Sequence, residues 1–112
     1  MKYFVASGIL GAAILSASIA SAASLSSMTC HADYIDFAFT GITAETNITM
    51  EGQNTGSSAW TLIGGGALDG SSTSVSVGIP TNDSEFTAII PDVNSASFRA
   101  TVGSAVSAAF TC

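Results

Sequence analysis

The chain has 112 residues, of which only 9% are charged, and a formal net charge of −6 at pH 7. An acidic surface repels phosphate backbones and anionic lipid headgroups, which excludes nucleic acid and membrane surfaces as favoured partners. The two cysteines are far apart and the chain has a single histidine. That composition disfavours a metal site and a redox pair.

Residues 1–22 have the pattern of a cleaved secretory signal. Lys2 supplies a short positive segment, an uncharged apolar stretch runs from Phe4 to Ile19, and Ala20-Ser21-Ala22 is a small-x-small cleavage site. The apolar stretch is short and weakly apolar beside the roughly 20 residues that a membrane anchor needs. We therefore expect export to the periplasm or the extracellular space, with no membrane insertion after cleavage.

Residues 23–112 are long enough for one domain with one modest core. A disulfide between Cys30 and Cys112 is the simplest use of two cysteines in an exported chain. Closing a loop of that length stabilises a fold by about 4.5 kcal/mol in the chain-entropy treatment. After cleavage Arg99 is the one strong base, so the net charge is −7 against eight carboxylates: Asp33, Asp36, Glu45, Glu51, Asp69, Asp83, Glu85 and Asp92.

Period-two alternation predicts seven strands, each with one buried and one exposed face. In chain order the inward positions are Ile35, Phe37 and Phe39; Ile48 and Met50; Trp60 and Leu62; Val75, Val77 and Ile79; Phe86, Ala88 and Ile90; Phe98, Ala100 and Val102; and Val106, Ala108 and Phe110. Turn-forming residues separate them, including Gly64-Gly65-Gly66 between the third and fourth. No segment has a helical period, so we predict an all-β, seven-stranded antiparallel β-sandwich of immunoglobulin or fibronectin type.

The two cysteines have different parities in this pattern. Cys112 shares the parity of Phe110 and is expected to point inward, whereas Cys30 has the parity opposite to Ile35. Because a one-residue slip turns every side chain to the other face, an inward-facing bond requires a bulge or irregular turn near His31.

The candidate catalytic residues do not form a convincing constellation. His31 lies beside Cys30, but adjacent residues of an extended chain point to opposite faces, so an exposed polar histidine is expected. A serine triad would have to use this one histidine, and the sequence has no Gly-x-Ser-x-Gly elbow. The carboxylates Asp36, Glu51 and Glu85 fall on solvent faces, and Asp69 or Asp83 with Glu85 lacks a calcium-loop pattern. We predict no enzymatic activity, no cofactor and no metal.

Trp60 has two interpretations. Its parity with Leu62 favours a place in the core, and the alternative is an exposed aromatic platform for sugar stacking. Asn47 and Asn82 each begin a glycosylation sequon, which is weak support for a eukaryotic source. The last two predicted strands, within 97–112, carry only Arg99 as a charge, so an edge there would suit pairing with a strand of a partner protein.

The run from Gly52 to Ser58, followed by Gly64-Gly65-Gly66-Ala67-Leu68, resembles the middle of a family of small periplasmic chaperones. Those proteins restrain curli-type amyloid subunits during export in alphaproteobacteria. The resemblance implies an immunoglobulin-like sandwich and a protein partner. The sequence departs from the family in two ways: Ile63-Gly64-Gly65 stands where Gln-Gly-Gly is expected, and basic residues are fewer.

Three functions remain open from the sequence. The first is a non-catalytic exported interaction domain, in one form a chaperone or accessory of an amyloid-type surface fibre. The second is a small secreted fungal effector or cell-wall protein, which the disulfide and the two sequons fit. The third is a minimal hydrolase or sugar-binding module, which needs Trp60 or clustered carboxylates in one exposed groove.

Overall fold

The computed structural model describes residues 23–112, which form two antiparallel β-sheets packed face to face. The predicted signal segment, residues 1–22, lies outside the described residues. The strands are β1 (Ser24–Cys30), β2 (Tyr34–Thr40), β3 (Thr46–Gln53), β4 (Thr61–Leu68), β5 (Ser74–Pro80), β6 (Ser97–Val102), β7 (Ala105–Val106) and β8 (Phe110–Thr111). One α-helix, α1 (Ser84–Ile89), and a short 3₁₀ helix (Val93–Ser95) connect β5 to β6.

Sheet A has the order β1-β2-β5, and sheet B has the order β4-β3-β6 with β7 and β8 both paired to the far side of β6. The all-β sandwich predicted from alternation is therefore confirmed, with eight strands in the described part rather than seven. The strand that the sequence did not predict is β1. It pairs with β2, and its pairing shifts by one residue at Ser26, whose hydroxyl donates to the carbonyl of Ala38 at 3.1 Å.

The core lies between the two sheets and consists of the inward residues of alternating strands. Phe37 and Phe39 of β2, Ile79 of β5 and Phe98 of β6 are fully buried. Their neighbours along each strand are exposed or half-buried, as the period-two pattern predicted for these strands. The described residues include no buried charged or polar side chain.

The predicted disulfide between Cys30 and Cys112 is present, and it joins the end of β1 in sheet A to the residue after β8 in sheet B. The expected irregularity beside His31 is a tight turn between β1 and β2, closed by the N–H of His31 donating to the carbonyl of Tyr34 at 2.8 Å. The expected inward orientation of Cys112 was wrong. Cys112 is exposed, whereas Cys30 is half-buried against the core.

The predicted fifth strand, over Phe86, Ala88 and Ile90, was wrong because this segment forms most of the helix α1 and its C-cap. The Asp83 side chain caps the helix by accepting the N–H of Glu85 at 2.9 Å. Phe86 and Ile90, four residues apart, are both buried, whereas Ala88 is exposed. A six-residue helix is marginal by itself, so its stability depends on these two core contacts.

The third predicted strand has a different register and length. Gly64, Gly65 and Gly66 belong to β4 rather than to a turn. The pairing of β4 with β3 shifts between Met50 and Glu51, which makes Ile63 the extra residue of a β-bulge. Ile63 is consequently buried and Leu62 points outward, with 54% of its surface exposed, so the expected inward place of Leu62 was wrong.

The last predicted strand was also wrong in extent. The segment after β6 forms two strands of two residues each, and residues 107–109 lie between them. Val106 and Ala108, expected to point inward, are exposed, and Phe110 is half-buried. The hydroxyl of Ser107 accepts the N–H of Ala100 in place of a regular ladder bond.

Candidate functional site

His31 has contacts of a structural kind. Its ring stacks on that of Tyr34, with centroids 4.3 Å apart, and its Nε2 lies 3.4 Å from Asp36 Oδ2. It is exposed, as predicted, and the adjacent Cys30 is oxidised. A nucleophilic pair of this cysteine and this histidine is therefore ruled out in the oxidised chain, because the sulfur is not a thiolate.

Asp69 and Asp83, which were considered as calcium ligands, accept hydrogen bonds from backbone amides. Asp69 accepts the N–H of Ser71 at 3.0 Å, and Asp83 caps α1. Asp92 similarly accepts the N–H of Asn94 at 3.2 Å at the 3₁₀ helix. Such bonds are the usual work of aspartate at turns and helix starts. Within residues 23–112, no group of three His, Cys, Asp or Glu side chains is placed to hold a metal ion.

Trp60 is half-exposed at the outer face of sheet B, so its expected place in the core was wrong. The guanidinium of Arg99 lies over the Trp60 ring at 4.2 Å from the centroid, and Arg99 Nε donates to Glu51 Oε1 at 2.8 Å. Arg99 and Leu62 both pair with Glu51, from β6 and β4 on either side of β3. The alternation of β3 and β6 predicts outward positions for Glu51 and Arg99, but the sequence does not reveal their contact with Trp60.

This outer patch, defined by Trp60, Leu62, Glu51 and Arg99, has limited chemical scope. A guanidinium stacked on an aromatic ring and bonded to a carboxylate is held in one position. It also covers one face of Trp60. Glu51 is the one carboxylate of the patch, and it is bonded to Arg99.

The sequence left open which strands are sheet edges, and we expected an edge within residues 97–112 to suit a partner strand. β6 is in the interior of sheet B, whereas β7 and β8 lie at its edge but have two residues each. The long edges are β1, β4 and β5. No strand of the described part pairs with the far side of β5, and its seven residues keep an unbroken register with β2. None of the seven side chains of β5, which read Ser-Val-Ser-Val-Gly-Ile-Pro, is charged.

Both sequon asparagines are accessible. Asn47 is exposed on β3, and Asn82 is exposed in the loop before α1.

Comparisons with protein-family models, with curated proteins and with solved structures found no match. In residues 23–112, no helix is long and apolar enough to cross a membrane.

Proposed function

We propose that this chain is an exported, non-catalytic interaction domain that binds an extended segment of a partner protein at the free edge of β5. One form of this function is a periplasmic chaperone or accessory that restrains amyloid-type surface fibre subunits. The observation that carries the proposal is the seven-residue, uncharged and regular edge of β5.

An edge strand has unpaired backbone N–H and C=O groups, and proteins normally protect it with bulges, short length, charges or proline. In the described part, β1 and β4 each contain a register shift, and β7 and β8 have two residues each. Of the edge strands, β5 has the least protection, with only Pro80 at its last position. This contrast supports β5 as the strand to which a partner adds.

An amyloid-type subunit is a suitable partner chemically. Its fibre grows when an extended, weakly charged segment pairs with the edge of the chain before it. A domain that occupies such a segment with its own uncharged edge blocks that growth. The resemblance of residues 52–58 and 64–68 to curli-type chaperones supports this form, as does the immunoglobulin- or fibronectin-like relationship that we infer from the strand orders of the two sheets.

Export and a single mature domain are part of the same proposal. A disulfide persists in oxidising compartments and is rare in the reducing cytosol. The signal pattern in residues 1–22 supports secretion, and the Cys30–Cys112 bond supports an oxidising compartment.

The test is the fibrillation of a purified curli-type subunit, followed with thioflavin T in the presence of residues 23–112. The matched pair of variants is Ser76→Lys on β5 and Ser27→Lys on β1. Both serines are exposed, and both pair with Ala38 of β2, one from each side. An unpaired charge beside an added strand costs on the order of 1 kcal/mol, so about fivefold more Ser76→Lys protein is expected for the same delay. Ser27→Lys should behave as the parent. No delay by the parent at substoichiometric ratios would remove the chaperone form, and equal effects of both variants would remove the β5 edge.

A small secreted fungal effector or cell-wall protein is a second candidate, favoured by the exposure of both Asn47 and Asn82. A glycan on Asn47 would stand on β3, next to Ala67 of the neighbouring strand. An endoglycosidase that lowers the mass of the protein isolated from its source would support this candidate. An unmodified chain from a bacterial source would eliminate it.

A further inference from the structure

The far edge of β6 is covered by a short part of the same chain, the C-terminal segment, residues 105–112. Its strands β7 and β8 pair with the two ends of β6. Between them, Ser107 bonds twice to Ala100: its N–H donates to the Ala100 carbonyl at 2.8 Å, and its hydroxyl accepts the Ala100 N–H at 3.0 Å. The segment therefore covers backbone groups that a six-residue strand would otherwise leave unpaired.

Few contacts other than the disulfide hold the C-terminal segment in place. Ser107 and Phe110 are half-buried, and the rest of the segment is exposed. Phe110 is the one residue of the segment that packs against the hydrophobic core. Ordering eight residues costs conformational entropy at each of them, and these few contacts offset only part of that cost. The bond between Cys112 and Cys30 is therefore the main anchor of the segment.

The two sulfur atoms of this bond differ in accessibility. Cys112 is exposed, whereas Cys30 is half-buried against the core. A disulfide is opened by attack of a thiolate on one of its sulfur atoms, and the rate depends on access to that atom. An incoming dithiol therefore reaches Cys112 Sγ more readily than Cys30 Sγ.

We propose that the Cys30–Cys112 bond is a redox switch, which holds the C-terminal segment over the edge of β6 and releases it when a dithiol attacks Cys112. A thiolate of the dithiol bonds to Cys112 Sγ, the Cys30–Cys112 bond breaks, and Cys30 leaves as a thiolate that takes up a proton. The second thiol of the dithiol then loses its proton, forms a disulfide with the first, and releases Cys112 as a thiol. Two electrons and two protons pass to the chain, and a disulfide donor reverses both steps.

The switch makes the state of one sheet edge depend on the redox state of the surroundings. In the oxidised chain β6 is paired on both sides, so a further strand does not add there. In the reduced chain its far edge is open, and Arg99 is the one charged residue of that strand. The edge is thus closed in an oxidising compartment, where disulfides persist, and open in a reducing one. This inference does not rest on the β5 edge, so the two stand or fail separately.

The first test is amide hydrogen exchange along β6 in residues 23–112, before and after reduction with dithiothreitol. Backbone N–H groups alternate in direction along a strand, so Ala100 donates toward the C-terminal segment, whereas Thr101 points to β3, as Gly103 does. Reduction should raise the ratio of the Ala100 rate to the Thr101 rate by at least about tenfold. An unchanged ratio, or loss of protection at both amides, would overturn the proposal, because the bond would then stabilise the whole domain evenly.

The second test asks whether the redox equilibrium depends on the contacts of the segment. Phe110→Ala removes the core contact, and Val106→Ala, the matched control, shortens a side chain of the same segment that is 56% exposed. If the segment opens on reduction, the Phe110 contact stabilises the oxidised chain alone. The equilibrium with dithiothreitol should then shift toward the reduced chain by about tenfold for Phe110→Ala and by less than about twofold for Val106→Ala. Equal shifts would overturn the proposal.

The third test identifies the sulfur that is attacked. A dithiol oxidoreductase whose second cysteine is replaced by serine stops at the mixed disulfide, which is kept by alkylating the free thiols. Arg99 is the single lysine or arginine of residues 23–112, so trypsin places Cys30 and Cys112 in different peptides. The oxidoreductase should be found on the peptide that contains Cys112. Its attachment mainly to the peptide with Cys30 would overturn Cys112 as the point of attack.

Discussion

Removal of the disulfide is the most direct test of how the two sheets are held together. The bond joins residues 82 apart, and closing a loop of that size stabilises a fold by about 4.5 kcal/mol in the chain-entropy treatment. Domains of this size have total stabilities of about 5–15 kcal/mol, so the bond supplies a large share. The full amount requires that Cys30→Ser/Cys112→Ser stays folded up to its last strand.

The C-terminal segment makes that condition hard to meet. Because β7 and β8 have two residues each, the segment can open locally once Cys112 is no longer bonded. This opening raises the conformational entropy of the native state and offsets part of the entropy that the unfolded chain gains. We therefore expect a loss of about 2–4 kcal/mol, below the loop value.

Urea unfolding followed by the fluorescence of Trp60 measures the loss of stability in the disulfide variant. Hydrogen exchange at Ser107, whose N–H donates to the carbonyl of Ala100 at 2.8 Å, measures the opening of the C-terminal segment. Exchange should accelerate more at Ser107 than at Phe37 in the β2–β5 ladder. The parent protein treated with a thiol reductant serves as the control and should match the serine variant. A loss below about 1 kcal/mol, with exchange at Ser107 unchanged, would refute the reasoning, since neither the unfolded chain nor the C-terminal segment would then depend on the bond.

Two further substitutions test local features by the same urea assay. Gly70 and Gly56 have nearly the same positive φ, +83° and +84°, but a Cβ on Gly70 would lie 2.8 Å from the backbone of Ala44, whereas one on Gly56 would meet nothing within 4 Å. Gly56→Ala should cost about 1–2 kcal/mol for the left-handed backbone alone, and Gly70→Ala should cost clearly more; equal losses would contradict the close contact. At the helix cap, Asp83→Ala should cost about 1 kcal/mol and Asp83→Asn much less, because asparagine also accepts the N–H of Glu85. Equal losses for these two variants would show that charge, not capping, is the contribution.

The sequence was sufficient for the strands that stay regular from end to end. In β2, β5 and β6, every second residue is apolar, and each strand pairs without a register shift with one neighbouring strand. Burial then follows alternation directly, as with Phe37 and Phe98. The disulfide was predictable for a different reason, because two cysteines have few other uses in a chain with a predicted secretory signal.

The helix was missed because its buried residues satisfy two periods at once. Phe86 and Ile90 are four apart, which matches a multiple of two and also one turn of a helix. What distinguishes the two is the start of the segment, where Asp83 is an N-cap and Glu85 lies in the first turn. That signal was present in the sequence. The capping signal is stronger evidence than the alternation, because Ala88 is too small to show which face of a strand is buried.

Two features that the sequence did not reveal, in β4 and in β1, are register shifts between paired strands. A bulge inserts one residue into a strand, and its position depends on the partner strand, which alternation within one strand cannot reveal. In β4 the extra residue Ile63 turns Leu62 outward beside Trp60 and Glu51. In β1, a strand that was not predicted, the shift at Ser26 interrupts the edge of sheet A. Since both shifts also protect their edges, the strand that alternation describes best, β5, is the one left most open to a partner.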